Sequence, residues 1–245
     1  KVIMPVDLFG LPANYSEINS ISRKYDLLVL EDGAQGFGGS IEGEMACSFG
    51  NMAATSFFPS KPLGCYGDGG AIFTNEDSLA EKLVSMRVHG KGGHKYDNVR
   101  VGINGRLDTL QAAILLEKMT IFPEEIRLRN VVAALYSERL KNKVITPSIP
   151  DGYVSAWAQY SILTRSSDHR TEIQERLKSH NIPTVIYYPR PMHLQTAFTK
   201  LGYHRGDFPV SENFYGQEIS LPIYPDLSSD DVSLVVNNIL EIIST

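Results

Sequence analysis

A chain of 245 residues is long enough for one large or two ordinary domains. Its 42% hydrophobic and 21% charged content excludes a disordered or low-complexity chain. A formal net charge of -5 argues against nucleic acid as a partner, and no apolar run approaches the ~20 residues that cross a bilayer, so a membrane is not expected either.

The two cysteines, Cys47 and Cys65, lack CxxC spacing and read as reduced thiols of a reducing, cytoplasmic compartment. Lys1 opens directly into an apolar run with no initiator Met and no signal-peptide pattern, which reads as a fragment of a longer chain. No repeats are present.

Val2 to Val6 is expected as a short buried strand, followed by a loop over Asp7 to Ala13 carrying Gly10 and Pro12. From Asn14 to Tyr25, residues Ile18, Ile21 and Tyr25 recur at helical spacing. Asp26 to Glu31 reads as a second strand, apolar enough to be covered on both faces in a parallel sheet. This strand-helix-strand order predicts a right-handed crossover unit. Ligands in such sheets sit beyond the carboxyl ends of the strands, which is where Asp32 and Gln35 fall.

Gly36 to Gly50 is read as loop. Met52 to Phe58 and Gly70 to Thr74 are expected as buried strands, with Lys61 on their connection. Asn75 or Asp77 is expected to cap a helix reaching about Val88. Helices are then predicted over Thr109 to Lys118 and Pro123 to Lys141, the second bridging two domains. After a Pro/Gly-containing break at Thr146 to Gly152 come a strand over Trp157 to Thr164, a helix from Ser167 or Asp168 to His180, a strand over Pro183 to Tyr188, and helices over Phe208 to Glu218 and Asp230 to Ile243. The expected organisation is an α/β domain over residues 1–125 and a smaller α+β domain over residues 126–245.

Lys61 is the residue with the most chemistry in it. It lies between an apolar run and a glycine-rich turn, and a desolvated lysine loses proton affinity and becomes a nucleophile toward carbonyls. The ordinary alternative is a solvated loop lysine. Asp32 reads equally well as a turn or capping residue. Ser56 reads as a strand-edge hydroxyl, Gln35 carries almost no signal alone, and Tyr188 and His193 read as packing residues. Gly67-Asp-Gly-Gly70 lacks the lysine spacing of a nucleotide phosphate loop and reads as a tight turn. Cys65 has no histidine near it in sequence and is not read as a nucleophile.

Taken together, however, Glu31-Asp-Gly-Ala-Gln35, Ser56-Phe-Phe-Pro-Ser-Lys-Pro-Leu-Gly64, Gly67-Asp-Gly-Gly-Ala71, Gly102-Ile-Asn-Gly-Arg-Leu-Asp108 and Tyr188-Pro-Arg-Pro-Met-His-Leu-Gln195 resemble the sugar-nucleotide aminotransferases of the DegT/StrS type, in the same order and over nearly the whole chain. The resemblance implies a fold type I pyridoxal phosphate transferase, with a mixed, mostly parallel sheet flanked by helices and a smaller C-terminal α+β domain. It implies that Lys61 holds pyridoxal 5'-phosphate as a Schiff base and moves protons as base and acid. Asp32 would face the pyridine nitrogen and Gln35 the ring and its phenolic oxygen, while Ser56 would bind the phosphate. Asn104 and Arg106 would reach the neighbouring subunit's phosphate region, and Tyr188, His193 and Gln195 the substrate. No metal is implied.

The resemblance further implies a homodimer with shared sites. L-glutamate would be the amino donor and a keto sugar nucleotide the acceptor, the closest likeness being to enzymes that aminate C3 of UDP-linked 2-acetamido-3-keto uronic acids for lipopolysaccharide and O-antigen sugars. Amination at C4, a non-enzymatic cofactor-binding sensor or inert fragment, an unrelated nucleotide-binding protein, and a sugar dehydratase are the competing readings. Dehydratases of this type carry histidine where Lys61 stands. Members of the family also carry a longer N-terminal part, with a helix N-terminus for the phosphate and an aromatic that stacks on the ring, and neither precedes Lys1 here.

Overall fold

The computed structural model describes residues 1–94 and 96–243 and divides into two compact units, residues 1–126 with 149–158, and residues 127–148 with 159–245. Among the described residues no helix is long and apolar enough to cross a membrane.

The first unit is built on a four-stranded sheet. Strand β1 (Val2–Ile3) leads through a 3-10 turn at Leu8–Gly10 into helix α1 (Tyr15–Tyr25) and returns as β2 (Leu28–Asp32), parallel to β1. Asn14 caps α1 by accepting the Glu17 N–H, and Asp26 ends it in the left-handed conformation. Strand β5 (Met52–Ser56) lies parallel to β2 with Asp32 opposite Ala54, and β6 (Gly70–Phe73) runs antiparallel to β5. The order is β1-β2-β5-β6. The mostly parallel sheet of the sequence reading is present, with α2 (Asp77–Arg87) and α3 (Thr109–Leu140) following it in the chain.

Several local expectations are corrected. The stretch from Gly36 to Gly50 is not all loop: β3 (Ser40–Ile41) and β4 (Glu44–Met45) form a hairpin, and β7 (Tyr153–Val154) pairs with β3. Strand β6 is not buried, since Ile72 is 56% exposed. The apolar positions assigned to α1 are not its buried face, for Ile21 and Tyr25 are exposed while Tyr15 and Ser22 are buried. Helix α2 follows Glu76, which makes no side-chain cap. The two helices expected after residue 109 are one, with Pro123 inside it.

The core of this unit gathers Phe57, Leu63, Cys65, Leu115, Phe122 and Ala156. Phe37 stacks on Phe122 at 5.8 Å and meets Phe57 edge-on at 5.9 Å. Each such side chain contributes about 1.5–3 kcal/mol by leaving water. Next to that core, Phe57, Ile72, Phe73, Val84, Met86 and Val101 line an open groove of about 1210 Å³.

The second unit has a two-stranded antiparallel sheet, β8 (Tyr160–Leu163) with β9 (Glu218–Leu221), and helices α4 (Ser167–Ser179), α5 (Pro209–Gln217) and α6 (Ser229–Ile243). Ile162, Ile173, Leu177, Ile219, Val232 and Ile239 are fully buried in it. Tyr136 of α3 stacks on Tyr160 at 5.0 Å. The strand expected over Pro183 to Tyr188 reduces to a single bridge, Val185 to Ser220.

Candidate functional site

The carboxyl ends of β2 and β5 are neighbours in a parallel pair, so their last residues, Asp32 and Ser56, project at the same edge of the sheet. The two ends are tied directly. Gly33 N–H donates to Ala54 O at 2.9 Å, and the Thr55 hydroxyl donates to Gly33 O at 2.9 Å.

Asp32 is half-buried, and its Oδ1 accepts the Ala34 N–H at 3.1 Å. That bond closes a local turn and fixes the carboxylate's direction. Gln35 is buried, and its Oε1 accepts the Phe9 N–H at 2.5 Å. With the oxygen so occupied, the amide NH2 is turned away from Phe9 as a donor, an orientation assigned from the hydrogen-bond network. Ser56 Oγ accepts the Phe58 N–H at 3.2 Å.

Lys61 follows in a tight turn where its own N–H donates to Phe58 O at 2.9 Å. The lysine is half-buried, and Pro62, Leu63 and Gly64 after it are buried. Lys118 Nζ of α3 donates to Gly64 O at 2.6 Å and pins the turn from below. Gly64 is required there, since a Cβ would stand 2.6 Å from Pro59 O. Among the described residues the Lys61 ammonium makes no hydrogen bond or ion pair, so the amine is uncommitted.

Behind this edge lies a group of acids absent from the sequence reading. Asp7 and Glu31 are both fully buried. Asp7 Oδ1 accepts the Ala13 N–H at 3.0 Å and the Tyr15 hydroxyl at 2.8 Å, and Glu31 accepts the N–H groups of Cys47 and, at 3.1 Å, Phe49. Burial raises the Asp7 carboxyl above its ordinary range, against the lowering effect of its bonds to Ala13, Tyr15 and Glu31, and burial pushes Glu31 up to about 7, with the Asp7 charge and hydrogen bond adding to that rise. Burial, with these two acids beside it, pushes the Cys47 thiol up to about 12 and raises the Tyr15 phenol as well. The signal that flagged Asp32, a carboxylate at a strand's carboxyl end before a glycine turn, applies equally to Asp7.

Asn104 and Arg106 are exposed, on a segment where Asn104 bridges to Val88. Tyr188, His193 and Gln195 belong to the second unit. Tyr188 is exposed beside Tyr187, whose N–H donates to Glu218 Oε2 at 2.7 Å. His193 is half-buried with Nε2 3.0 Å from Glu212 Oε1, and its ring lies 4.7 Å from that of Phe208. Gln195 donates to Arg190 O at 3.1 Å. Glu212, which holds His193, and Glu218, which holds Tyr187 next to Tyr188, are not singled out by the sequence.

An amine, a carboxylate, an oriented amide and a hydroxyl thus lie on, or just before, the turns that follow two neighbouring parallel strands. This donor set suits an aromatic aldehyde cofactor that carries a ring nitrogen, a phenolic oxygen and an anionic tail.

Comparison with known proteins gives the same direction. The chain is 45% identical over 236 residues to a Pseudomonas aeruginosa protein named UDP-2-acetamido-2-deoxy-3-oxo-D-glucuronate aminotransferase, covering 96% of this chain and 64% of that protein. It is 39% identical over 237 residues to the dTDP-3-amino-3,6-dideoxy-alpha-D-galactopyranose transaminase of Aneurinibacillus thermoaerophilus, again covering 96% and 64%. The crystal structure of a DegT DnrJ EryC1 StrS aminotransferase from Brucella abortus superposes with a TM-score of 0.95 at 47% identity, over 100% of this chain and 65% of that one. The chain therefore spans 64% of the length of both curated relatives. The model of the DegT/DnrJ/EryC1/StrS aminotransferase family matches residues 1–240, and the chain belongs to that family.

Proposed function

We propose that the protein is a pyridoxal phosphate-dependent aminotransferase that moves the amino group of an amino acid, L-glutamate, onto the keto carbon of a nucleotide-linked sugar. The observation that carries this is the uncommitted amine of Lys61 on the turn that follows Ser56, at the sheet edge shared with Asp32.

When bound, pyridoxal phosphate supplies the carbon that ferries the amino group and a ring that accepts the electron pair of the cleaved C–H bond. Lys61 would hold it covalently and, once displaced by the donor's amine, would serve as base toward the carbon bearing the donor's nitrogen and as acid toward the sugar carbon. Asp32 would keep the ring nitrogen protonated by its negative charge. The Gln35 NH2 would donate to the phenolic oxygen, and Ser56 to the phosphate. Asn104 and Arg106, both exposed, are proposed for the neighbouring subunit's phosphate in a homodimer, and Tyr188, His193 and Gln195 for the sugar nucleotide.

For the acceptor, we infer a UDP-linked 2-acetamido-3-keto uronic acid. The name of the relative at 45% identity supports this, while the relative at 39% is named for a dTDP-linked sugar and supports the second reading. Borohydride reduction of the purified protein loaded with cofactor, followed by peptide mass spectrometry, should place the adduct on Lys61. An adduct on another lysine would sink the assignment. Turnover of a UDP-linked keto uronic acid but not a dTDP-linked 3-keto sugar separates the two acceptors.

A further inference from the structure

Asp7 and Glu31 pose a problem of charge. Both side chains are fully buried, and the charge pressing on Asp7 from outside the pair is another acid, Asp32. Two anions buried side by side without a cation are prohibitively costly. The hydrogen bonds show how the cost is met. Asp7 Oδ1 has two donors, Ala13 N–H and Tyr15 O–H, but its Oδ2 is buried and meets no donor among the described residues. Glu31 stands on the neighbouring strand, one residue before Asp32, which bridges to Val6, and the two acids bear on each other's ionisation. A proton held between two such carboxyls supplies the missing donor and removes one of the two charges.

The pair sits behind the turn that carries Asp32 and Gln35. Asp7 N–H donates to Asp32 O at 3.1 Å, and Asp32 N–H donates to Pro5 O at 2.9 Å. Asp7 Oδ2 lies 2.4 Å from where a Cβ on Gly36 would stand, so the carboxyl fills the place of a side chain at that turn. Two residues after Asp7, Phe9 fixes the Gln35 amide. On the other side, Glu31 holds the Cys47 and Phe49 N–H groups. The titratable groups facing the pair are therefore Tyr15 from α1, Asp32 from β2, and Cys47 from the turn after β4.

We propose that Asp7 and Glu31 share one buried proton and that Asp7, through this pair, is a positioning residue for the Asp32-Gly-Ala-Gln35 turn. The role of Asp32 and Gln35 toward a cofactor rests on the function proposed above; the shared proton does not. Deprotonation puts two charges in one buried place and loosens the turn. Because both carboxyls are raised in the fold, the pair's stability is present below the ordinary carboxylate range and is lost as pH rises through about 7.

The test compares thermal unfolding of the cofactor-free protein between pH 5.5 and 8.5 with that of Asp7→Asn, Glu31→Gln and, as a control for the other buried acid, Glu218→Gln. Asp7→Asn keeps the shape and the Oδ1 acceptor for Ala13 and Tyr15, offers Glu31 a fixed N–H donor in place of the shared proton, and removes one of the two charges. It should flatten the fall in melting temperature with pH, and an unchanged slope would overturn the shared proton. Should Asp7→Asn fail to fold, Glu31→Gln decides in the same way. Hydrogen exchange at Gly33, Gly36 and Phe37, corrected for intrinsic rates, should lose protection with rising pH in the parent and not in Asp7→Asn. Protection that ignores pH in the parent overturns the positioning role. Titration with pyridoxal 5'-phosphate, read by visible absorbance, should weaken from pH 6.5 to 8.5 more in the parent than in Asp7→Asn. Failure to bind the cofactor at any pH, with the melting and exchange results intact, would remove the proposed function and leave the pair standing.

Discussion

Phe9 and Gln35 meet across the ends of the first two strands, with the Phe9 N–H donating to Gln35 Oε1 at 2.5 Å. Phe9 holds φ at 61°, a left-handed conformation that costs a bulky residue about 1–3 kcal/mol. The bond to Gln35 offsets part of that cost and at the same time decides which end of the Gln35 amide faces outward.

Gln35→Glu separates these two jobs. A carboxylate still accepts the Phe9 N–H but offers no N–H of its own. The new carboxyl is buried beside Asp32, so the melting temperature should fall as pH rises, and where both proteins are folded pyridoxal phosphate binding should weaken about tenfold or more for the lost donor and the added charge. Unchanged affinity in a visible-absorbance titration would take Gln35 out of the cofactor's surroundings.

Asp32→Asn tests charge against shape. Asparagine can accept the Ala34 N–H as Asp32 does, so the turn survives and stability changes little. The negative charge that holds the ring nitrogen protonated is gone. Transamination should fall by a factor of about a hundred or more, comparable with the loss of one well-placed electrostatic group. A variant that retains a tenth of the parent's kcat would argue that Asp32 is a turn residue only.

How much of this was legible in the sequence varies from residue to residue. The alternation of strand and helix around Asp32, and Lys61 before a glycine turn, were readable because apolar runs and glycines mark strand ends directly. The hairpin over Ser40 to Met45 was not. Its two-residue loop is Glu42-Gly43 with φ of 50° and 84°, the doubly positive geometry usually signalled by Asn-Gly or Asp-Gly. Pro123 misled in the opposite sense. Its missing N–H argues for a break, yet Phe122, Ile126, Val132, Ala133, Tyr136 and Leu140 are all buried along one continuous helix, and packing outweighs the local cost. Asp7 was passed over as a loop residue because its partner, Glu31, is 24 positions away and only the parallel pairing of β1 with β2 brings them together.

Gly64→Ala probes the turn that presents Lys61. The added methyl would stand 2.6 Å from Pro59 O and 2.9 Å from Phe58 O, both backbone atoms that cannot swing aside. The turn must shift, at about 1–3 kcal/mol, and Lys61 shifts with it. A melting temperature lower by several degrees and a reduced yield of borohydride-trapped Lys61 adduct are expected together. Full trapping with normal stability would mean that the turn tolerates displacement.

Glu218 gives a pH dependence of its own in the second unit. Its carboxyl is fully buried, accepts the Tyr187 N–H at 2.7 Å and the Ser220 hydroxyl at 2.7 Å, and is raised above the ordinary range by burial in spite of those bonds. A raised carboxyl contributes stability below its unfolded value and loses it as pH climbs through its folded value. In Glu218→Gln the amide oxygen can keep the Tyr187 N–H, and its NH2 can donate to Ser220 Oγ, which lies 2.6 Å from Ser161 Oγ. The variant should therefore match the parent near pH 5.5 and exceed it near pH 8.5, read as melting temperatures. A variant that declines as steeply as the parent with rising pH would show that Glu218 ionises without cost, against the burial that surrounds it.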